Sequence, residues 1–188
     1  MKVPVAGEEI KMIDDRLGTL GMKTAQDVMA ADLAYICRNL KSEFTQMSEK
    51  KLLIVGGAGF LGYYLVQSVL HWNKIEKVSP IQLTVYDNYR RGIPDWLIKL
   101  EREPNLTLIQ HDITSPLPAD IDDFHYIIHA ASIASPTYYR KYPIETMDAN
   151  VGGLRMLLEY CKLQKQARHP VEGFLFYSTS EIDRKSVV

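Results

Sequence analysis

The 188-residue sequence has little cysteine and no grouping of metal ligands. Its two cysteines, Cys37 and Cys161, lie within apolar helical patterns, so we expect two buried small side chains rather than a disulfide. No set of cysteines and histidines has the spacing of a zinc site. The sequence therefore predicts no metal centre.

Long apolar runs and an excess of one charge are also absent. No apolar stretch approaches the roughly 20 residues that span a membrane, and Glu8 and Glu9 lie where a secretory signal has an apolar run. The 22 basic and 23 acidic residues nearly cancel, which gives no electrostatic reason to expect nucleic acid or anionic lipid as a partner. We therefore predict a cytoplasmic chain that binds neither nucleic acid nor membrane and that holds any anionic cofactor by local geometry.

Residues 1–50 differ from the rest because they contain no strand-like run. From about Thr24, whose hydroxyl can cap a helix, the apolar residues recur at three- and four-residue steps: Met29, Leu33, Ile36, Leu40, Phe44 and Met47. This spacing predicts one face of a helix. Three docking partners stay open for this face: the chain's own domain, a second subunit, or another protein.

From Lys51 onward, short apolar runs alternate with helical patterns. Strands are predicted at residues 51–55, 81–86, 106–109, 124–128 and 173–177. Helices are predicted at residues 63–72 and 93–101, and a long one from Pro143, with a stripe formed by Ile144, Met147, Val151, Leu154, Leu158 and Cys161. This alternation predicts an α/β fold with a parallel sheet and right-handed crossovers.

A glycine motif separates the first strand from the first helix of this series. Gly56-x-x-Gly59-x-x-Gly62 has the spacing that permits a tight turn, a close approach of the backbone to a pyrophosphate, and close packing of helix on strand. The N–H groups of the helix N-terminus, with Phe60 and Leu61, then face the phosphates. No Gly-Lys-Ser/Thr sequence follows, which disfavours a P-loop nucleoside triphosphatase.

Asp87 ends the next strand, 25 residues beyond Gly62. A carboxylate there can accept hydrogen bonds from both ribose hydroxyls of NAD and would repel the 2′-phosphate of NADP. Arg90 and Arg91 follow closely and would weaken that repulsion. The pattern predicts a Rossmann-type doubly wound parallel sheet, of which five strands are present, with NAD favoured over NADP.

Further candidate residues follow the third and fourth strands. Asp112 and Ile113 are expected beside the adenine. Small residues after the fourth strand, Ala130, Ala131 and Ser132, would let the chain pass close to the cofactor, although plain packing also explains them. The connection from residue 130 to 142 lies past a strand's carboxyl end, where an open α/β sheet builds its ligand site.

Together these segments resemble the extended short-chain dehydrogenase/reductase family. The matching pieces are GGAGFLG, Tyr86-Asp87-Asn88, HDI from His111, IIHAAS from Ile127, Asn150 in the long helix, and FLFYSTSEI from Phe174. The resemblance covers about residues 51–182, leaves residues 1–50 as a helical extension, and assigns the cofactor contacts to the same glycines and to Asp87, Asn88, Asp112 and Asn150.

Residues 134–161 look most like UDP-glucuronate decarboxylases. The resemblance implies oxidation of a nucleotide sugar at carbon 4 by NAD, loss of a carboxylate, and return of the hydride. Thr179 would hydrogen-bond the reacting hydroxyl, and Glu181 would act as a base or orienting group. A 4,6-dehydratase or a 4-epimerase stays open, although Ser180 stands where the dTDP-glucose dehydratases carry an acidic Asp.

The family's Tyr-x-x-x-Lys pair does not occur anywhere in the sequence. In the family, this pair follows the Ser/Thr segment and supplies the base, and residues 183–188 also depart from the family's pattern. We therefore expect a shortened domain that ends in an unrelated tail. The chain alone should be inactive, and the full-length form is expected to be a homodimer. The alternative is a complete, non-catalytic module that binds a nucleotide or a partner.

Overall fold

A computed structural model of the chain describes residues 24–178. Its first two helices are α1 (Ala25–Asn39) and α2 (Lys41–Met47). An alternating series follows, made up of β1 (Lys51–Val55), α3 (Phe60–Ile75), β2 (Gln82–Asp87), α4 (Asp95–Ile98), β3 (Leu106–Gln110) and β4 (Tyr126–His129). The last elements are α5 (Pro136–Lys141), α6 (Pro143–Met147), a π-helical turn at Asp148–Gly152, α7 (Gly153–Gln166) and β5 (Gly173–Phe176).

The five strands form one parallel sheet in the order β3-β2-β1-β4-β5. The order reverses between β1 and β4, so the loops that follow these two strands diverge and leave a crevice at the carboxyl edge. This arrangement confirms the predicted doubly wound α/β sheet, and it places the glycine motif and the Ala130–Ser132 segment at the same crevice.

Side chains of β1 alternate between two cores, as the period of a strand requires. Leu52 and Ile54 belong to the core under α3, and Leu53 and Val55 belong to the core under α7. Because both faces are buried, the strand reads as a continuous apolar run rather than as an alternating one.

The N-terminal helical segment packs on the chain's own domain. The Cys37 thiol lies 3.5 Å from the backbone oxygen of Ser68, and the ring of Phe44 stacks on Trp72 at 5.3 Å. Because the later residue of the segment, Phe44, contacts the later residue of α3, Trp72, the segment runs in the same direction as α3. Thr24 caps α1 through a reciprocal pair of hydrogen bonds with Asp27.

The prediction of one continuous helix over this segment was wrong at Leu40. The chain breaks there between α1 and α2, and Leu40 is 43% exposed although the apolar spacing placed it on the docking face. Phe44, in α2, is buried in the core. The spacing alone could not show the break at Leu40, because it assumes one unbroken helix.

We expect Phe44→Ala to lower the free energy of unfolding by about 3 kcal/mol, the lower range for a buried aromatic truncated to alanine. Leu40→Ala is the matched control from the same segment and should change stability by less than about 0.5 kcal/mol, as for an ordinary exposed position. Urea unfolding followed by circular dichroism measures both. Equal effects of the two substitutions would mean that the segment does not dock through Phe44.

The long helical region after β4 differs from the sequence prediction in two ways. Residues 136–141 form α5 inside the segment that was expected to be a loop, and the predicted long helix is interrupted by the π-helical turn. The apolar stripe of the predicted helix is also not its buried face, since several of its members are half exposed or more: Ile144, Met147, Val151 and Leu158. The buried side of α7 instead carries Gly153, Leu157 and Tyr160.

Candidate functional site

The glycine motif forms the turn between β1 and α3 at the carboxyl edge of the sheet. Gly56 has a φ of +86°, and a Cβ atom on it would lie 2.5 Å from the backbone nitrogen of Ala131. A Cβ on Gly62 would lie 2.2 Å from the carbonyl oxygen of Gly57. Both glycines are therefore required by close approaches between backbone segments of the protein itself, which is the packing role that the motif predicts.

Gly59 is different because its surroundings are open. It is the N-cap of α3 with an ordinary extended backbone, and a Cβ on it would approach only the Gly56 carbonyl oxygen, at 3.2 Å. No side chain in the described part of the protein caps α3. The N–H groups of its first turn and the partial positive charge of the 16-residue helix thus face open space. This cradle fits a pyrophosphate, which would occupy the space that a side chain at Gly59 would fill.

The side chains of Phe60 and Leu61 are exposed to solvent. Phe60 is 90% exposed and Leu61 is 51% exposed. Both residues lie in the first turn of α3. Any contribution of these two residues to an anion site would come from their backbone N–H groups, because neither side chain can donate a hydrogen bond.

Asp87 links the glycine turn to the loop after β2. One carboxylate oxygen accepts a hydrogen bond from the Ala58 N–H, and the other accepts one from the Tyr89 N–H, both at 3.0 Å. These bonds fix the carboxylate beside the glycine turn at the end of β2. A ribose bound to α3 through its phosphates would meet a negative charge that is already oriented.

Asn88 and Asp112 lie together beside this carboxylate. The Asn88 side-chain amide donates to Asp112 at 3.1 Å, and Thr114 donates to Asp112 from its backbone and its hydroxyl. Burial by itself would raise the pKa of the Asp112 carboxyl, but these hydrogen bonds and the nearby Arg90 lower it overall. Asp112 is thus a charged acceptor at neutral pH.

Ile113 is more deeply buried than Asn88 and Asp112. Its side chain is buried in the core under α7, where a Cβ on Gly153 would meet it at 2.9 Å. Any contact of Ile113 with a ligand must therefore come from its backbone, while its side chain sets the distance between the β3 loop and α7.

The loop after β4 forms the other half of the crevice. The Asn150 side-chain amide donates to the Ser132 hydroxyl at 2.9 Å and to the Thr146 carbonyl oxygen at 2.8 Å. Ala130 and Ala131 lie against Gly56, where their backbone leaves no room for a Cβ atom. The candidate residues therefore form two groups, one around Asp87 and one around Asn150, on either side of the glycine turn.

Two of the predicted site residues, Thr179 and Glu181, lie outside the described residues. Sequence reasoning missed two others: the Ala58 N–H that orients Asp87, and the fully buried His129. A backbone donor leaves no signal in a sequence. His129 does leave one, because a histidine inside an apolar strand predicts a buried polar group that needs a partner.

Within residues 24–178, no group of three or more histidines, cysteines and acids is placed to hold a metal ion. Over the same residues, no helix combines the length and the apolar character that crossing a membrane requires.

Comparison with solved structures supports the fold. Pen from Bacillus thuringiensis matches 73% of this chain and 39% of its own at a TM-score of 0.57 and 21% identity. A dTDP-glucose 4,6-dehydratase from Streptomyces venezuelae, solved with NAD bound, matches 66% of this chain and 38% of its own at a TM-score of 0.53 and 23% identity.

Comparison of sequences identifies the family. UDP-glucuronic acid decarboxylase 5 from Arabidopsis thaliana is 38% identical over 141 residues, which are 75% of this chain and 37% of the relative. The chain thus spans little more than a third of that relative's length. The model of the NAD dependent epimerase/dehydratase family matches residues 52–183. The chain therefore belongs to the NAD dependent epimerase/dehydratase family, and NAD, the cofactor expected from the sequence, is the cofactor of that family.

Proposed function

We propose that the chain provides the NAD-binding part of a nucleotide-sugar decarboxylase that acts on UDP-glucuronate. The observation that carries this proposal is the 38% identity to a UDP-glucuronic acid decarboxylase across 141 residues, which are 75% of this chain. The open cradle at Gly59 and the oriented carboxylate of Asp87 support the cofactor part of the proposal.

When bound, NAD would supply a hydride acceptor for carbon 4 of the sugar and a hydride donor for its re-reduction after the carboxylate has left as carbon dioxide. This chain's residues have binding and orienting roles. The N–H groups of α3 hold the pyrophosphate, Asp87 accepts hydrogen bonds from the adenosine ribose, and Asn88 and Asp112 form a polar surface for the adenine. Thr179 and Glu181, which follow β5 in the sequence, are proposed to contact the sugar.

The test uses a version of the chain extended beyond Val188 with a segment that contains Tyr-x-x-x-Lys, such as the corresponding part of the Arabidopsis relative. We expect this version, given NAD and UDP-glucuronate, to release carbon dioxide and form UDP-xylose. A 4-keto-6-deoxy product from a neutral hexose nucleotide would replace the decarboxylase with a 4,6-dehydratase, and inversion at carbon 4 would replace it with an epimerase.

We expect the chain to bind NAD at least about tenfold more tightly than NADP, because a 2′-phosphate would lie within a few ångströms of the Asp87 carboxylate. Isothermal titration with each cofactor measures the ratio. Asp87→Asn keeps a hydrogen-bond acceptor and removes the negative charge, so it should reduce the preference for NAD over NADP. Tighter binding of NADP by the unmodified chain would mean that Arg90 and Arg91 outweigh Asp87.

A further inference from the structure

His129 is the most buried polar residue next to the candidate site. Its side chain is fully buried at the end of β4, and its ring lies 5.4 Å from that of Phe176. A Cβ atom on Gly153 would come within 3.3 Å of His129 Nε2, so α7 leaves no spare room around the ring. Histidine is rarely enclosed in this way without a hydrogen-bonding role.

The partner of His129 is in the π-helical turn. Its Nε2 atom lies 3.1 Å from the carbonyl oxygen of Ala149. A carbonyl oxygen can only accept, so Nε2 must carry the proton. Burial lowers the pKa of His129, and the bond to Ala149 offsets part of that effect. The ring is therefore a neutral imidazole with its proton on Nε2, and its Nδ1 atom has no partner among the described residues.

The residue after Ala149 is Asn150, whose side chain faces the crevice. Both hydrogens of its amide are used, one on the Ser132 hydroxyl and one on the Thr146 carbonyl oxygen. This leaves Oδ1 as the acceptor that Asn150 offers to a ligand. The direction of that side chain depends on the π-helical turn, and the bond from His129 ties the turn to the sheet.

We propose that His129 is a positioning residue: by donating from Nε2 to the Ala149 carbonyl, it holds the π-helical turn so that Asn150 meets Ser132 and presents Oδ1 to the crevice. The consequence for cofactor binding rests on the proposed function, whereas the link between His129 and Asn150 does not.

The first measurement needs no variant. A long-range nitrogen-15 NMR spectrum of the labelled chain distinguishes the two neutral tautomers of each histidine. We expect the Nε2–H tautomer for His129. The Nδ1–H tautomer would overturn the inference, because Nε2 could not then donate to Ala149.

The second measurement follows the side-chain amide signals of Asn150. His129→Met removes the donor at similar volume and should shift these signals and speed their hydrogen exchange. His129→Gln keeps an N–H in reach and should restore them. His169→Met, at an exposed histidine, is the matched control and should leave them unchanged. Asn150 signals that stay the same in both His129 variants would overturn the inference.

A titration with NAD separates this inference from the proposed function. We expect His129→Met to weaken NAD binding roughly five- to tenfold, the value of one hydrogen bond, and His129→Gln to stay within about twofold of the unmodified chain. In an Asn150→Ala background, His129→Met should have no further effect. An equal loss of NAD affinity on His129→Met in the unmodified chain and in the Asn150→Ala variant would indicate a merely structural role. An unmodified chain that binds no NAD contradicts the proposed function, and the tautomer and amide signals then decide the inference.

Discussion

Gly62→Ala is expected to leave the chain without a stable fold. The added Cβ would lie 2.2 Å from the Gly57 carbonyl oxygen and 2.5 Å from its carbonyl carbon. These are backbone atoms of the turn between β1 and α3, so relief requires the helix to move away from the sheet. We expect a loss above about 4 kcal/mol, which is a large part of the stability of an ordinary domain. Far-ultraviolet circular dichroism and urea unfolding measure it.

The matched control is Gly152→Ala, the same substitution at another glycine within a helical segment. A Cβ there meets nothing within 4 Å, and alanine is favoured over glycine in helices by about 1 kcal/mol. The two substitutions should therefore change stability in opposite directions. A folded Gly62→Ala chain with near-normal stability would show that the close packing of α3 on the glycine turn is wrong.

Gly59→Val separates the cofactor role of the motif from its packing role. The backbone of Gly59 is extended, and a Cβ there meets only the Gly56 carbonyl oxygen, at 3.2 Å, a contact that a small shift of the turn relieves, so the variant should fold. Its valine side chain would occupy the pyrophosphate cradle. Losing two charge-assisted hydrogen bonds of about 1.5–3 kcal/mol each corresponds to a loss in NAD affinity of at least about a hundredfold.

The strands were the part of the fold that the sequence predicted best. Residues 51–55 were predicted as a strand and form β1. The other strands were displaced by one or two residues at their ends. A strand that is buried on both faces needs a continuous apolar run. Few other local structures fit a short apolar run that follows a turn and precedes a glycine motif. The order of strands and helices then determines the parallel sheet.

The face that α7 buries could not be predicted, because both of its sides carry apolar residues. The prediction followed Val151, Leu154 and Leu158, whereas the core contains Leu157 and Tyr160. Tyr160 is buried because its hydroxyl donates to the Asp122 carbonyl oxygen and accepts from the Phe124 N–H. These partners are more than 30 residues away, so local periodicity does not contain them.

In the candidate site too, features set by residues close together in the sequence were predicted, and contacts between distant segments were not. The spacing of the glycines and the position of Asp87 follow from what a dinucleotide requires of a strand, a turn and a helix. The bonds that orient the site, from Ala58 to Asp87 and from His129 to Ala149, join segments that are brought together only by the sheet. Their donors are a backbone amide and a buried ring, which no motif records.

The 188-residue chain alone is expected to give no detectable turnover of UDP-glucuronate. Its sequence contains no tyrosine with a lysine four residues later, which is the pair that the family resemblance implies as the base. General acid–base catalysis contributes about 10²–10⁴-fold, and the loss of substrate positioning should cost at least as much again. Together these losses bring the rate at least about four orders of magnitude below that of a complete enzyme.

Incubation of the purified chain with NAD and UDP-glucuronate, followed for carbon dioxide and UDP-xylose, measures this rate. The extended version that carries Tyr-x-x-x-Lys is the positive control, and its Tyr→Phe variant should return it to the level of the chain alone. That second comparison matters because the extension also adds surface that orders the substrate. A rate that survives Tyr→Phe would assign the gain to positioning. Steady product formation by the chain alone would mean that one of its own eleven tyrosines, or another group of the crevice, provides the base.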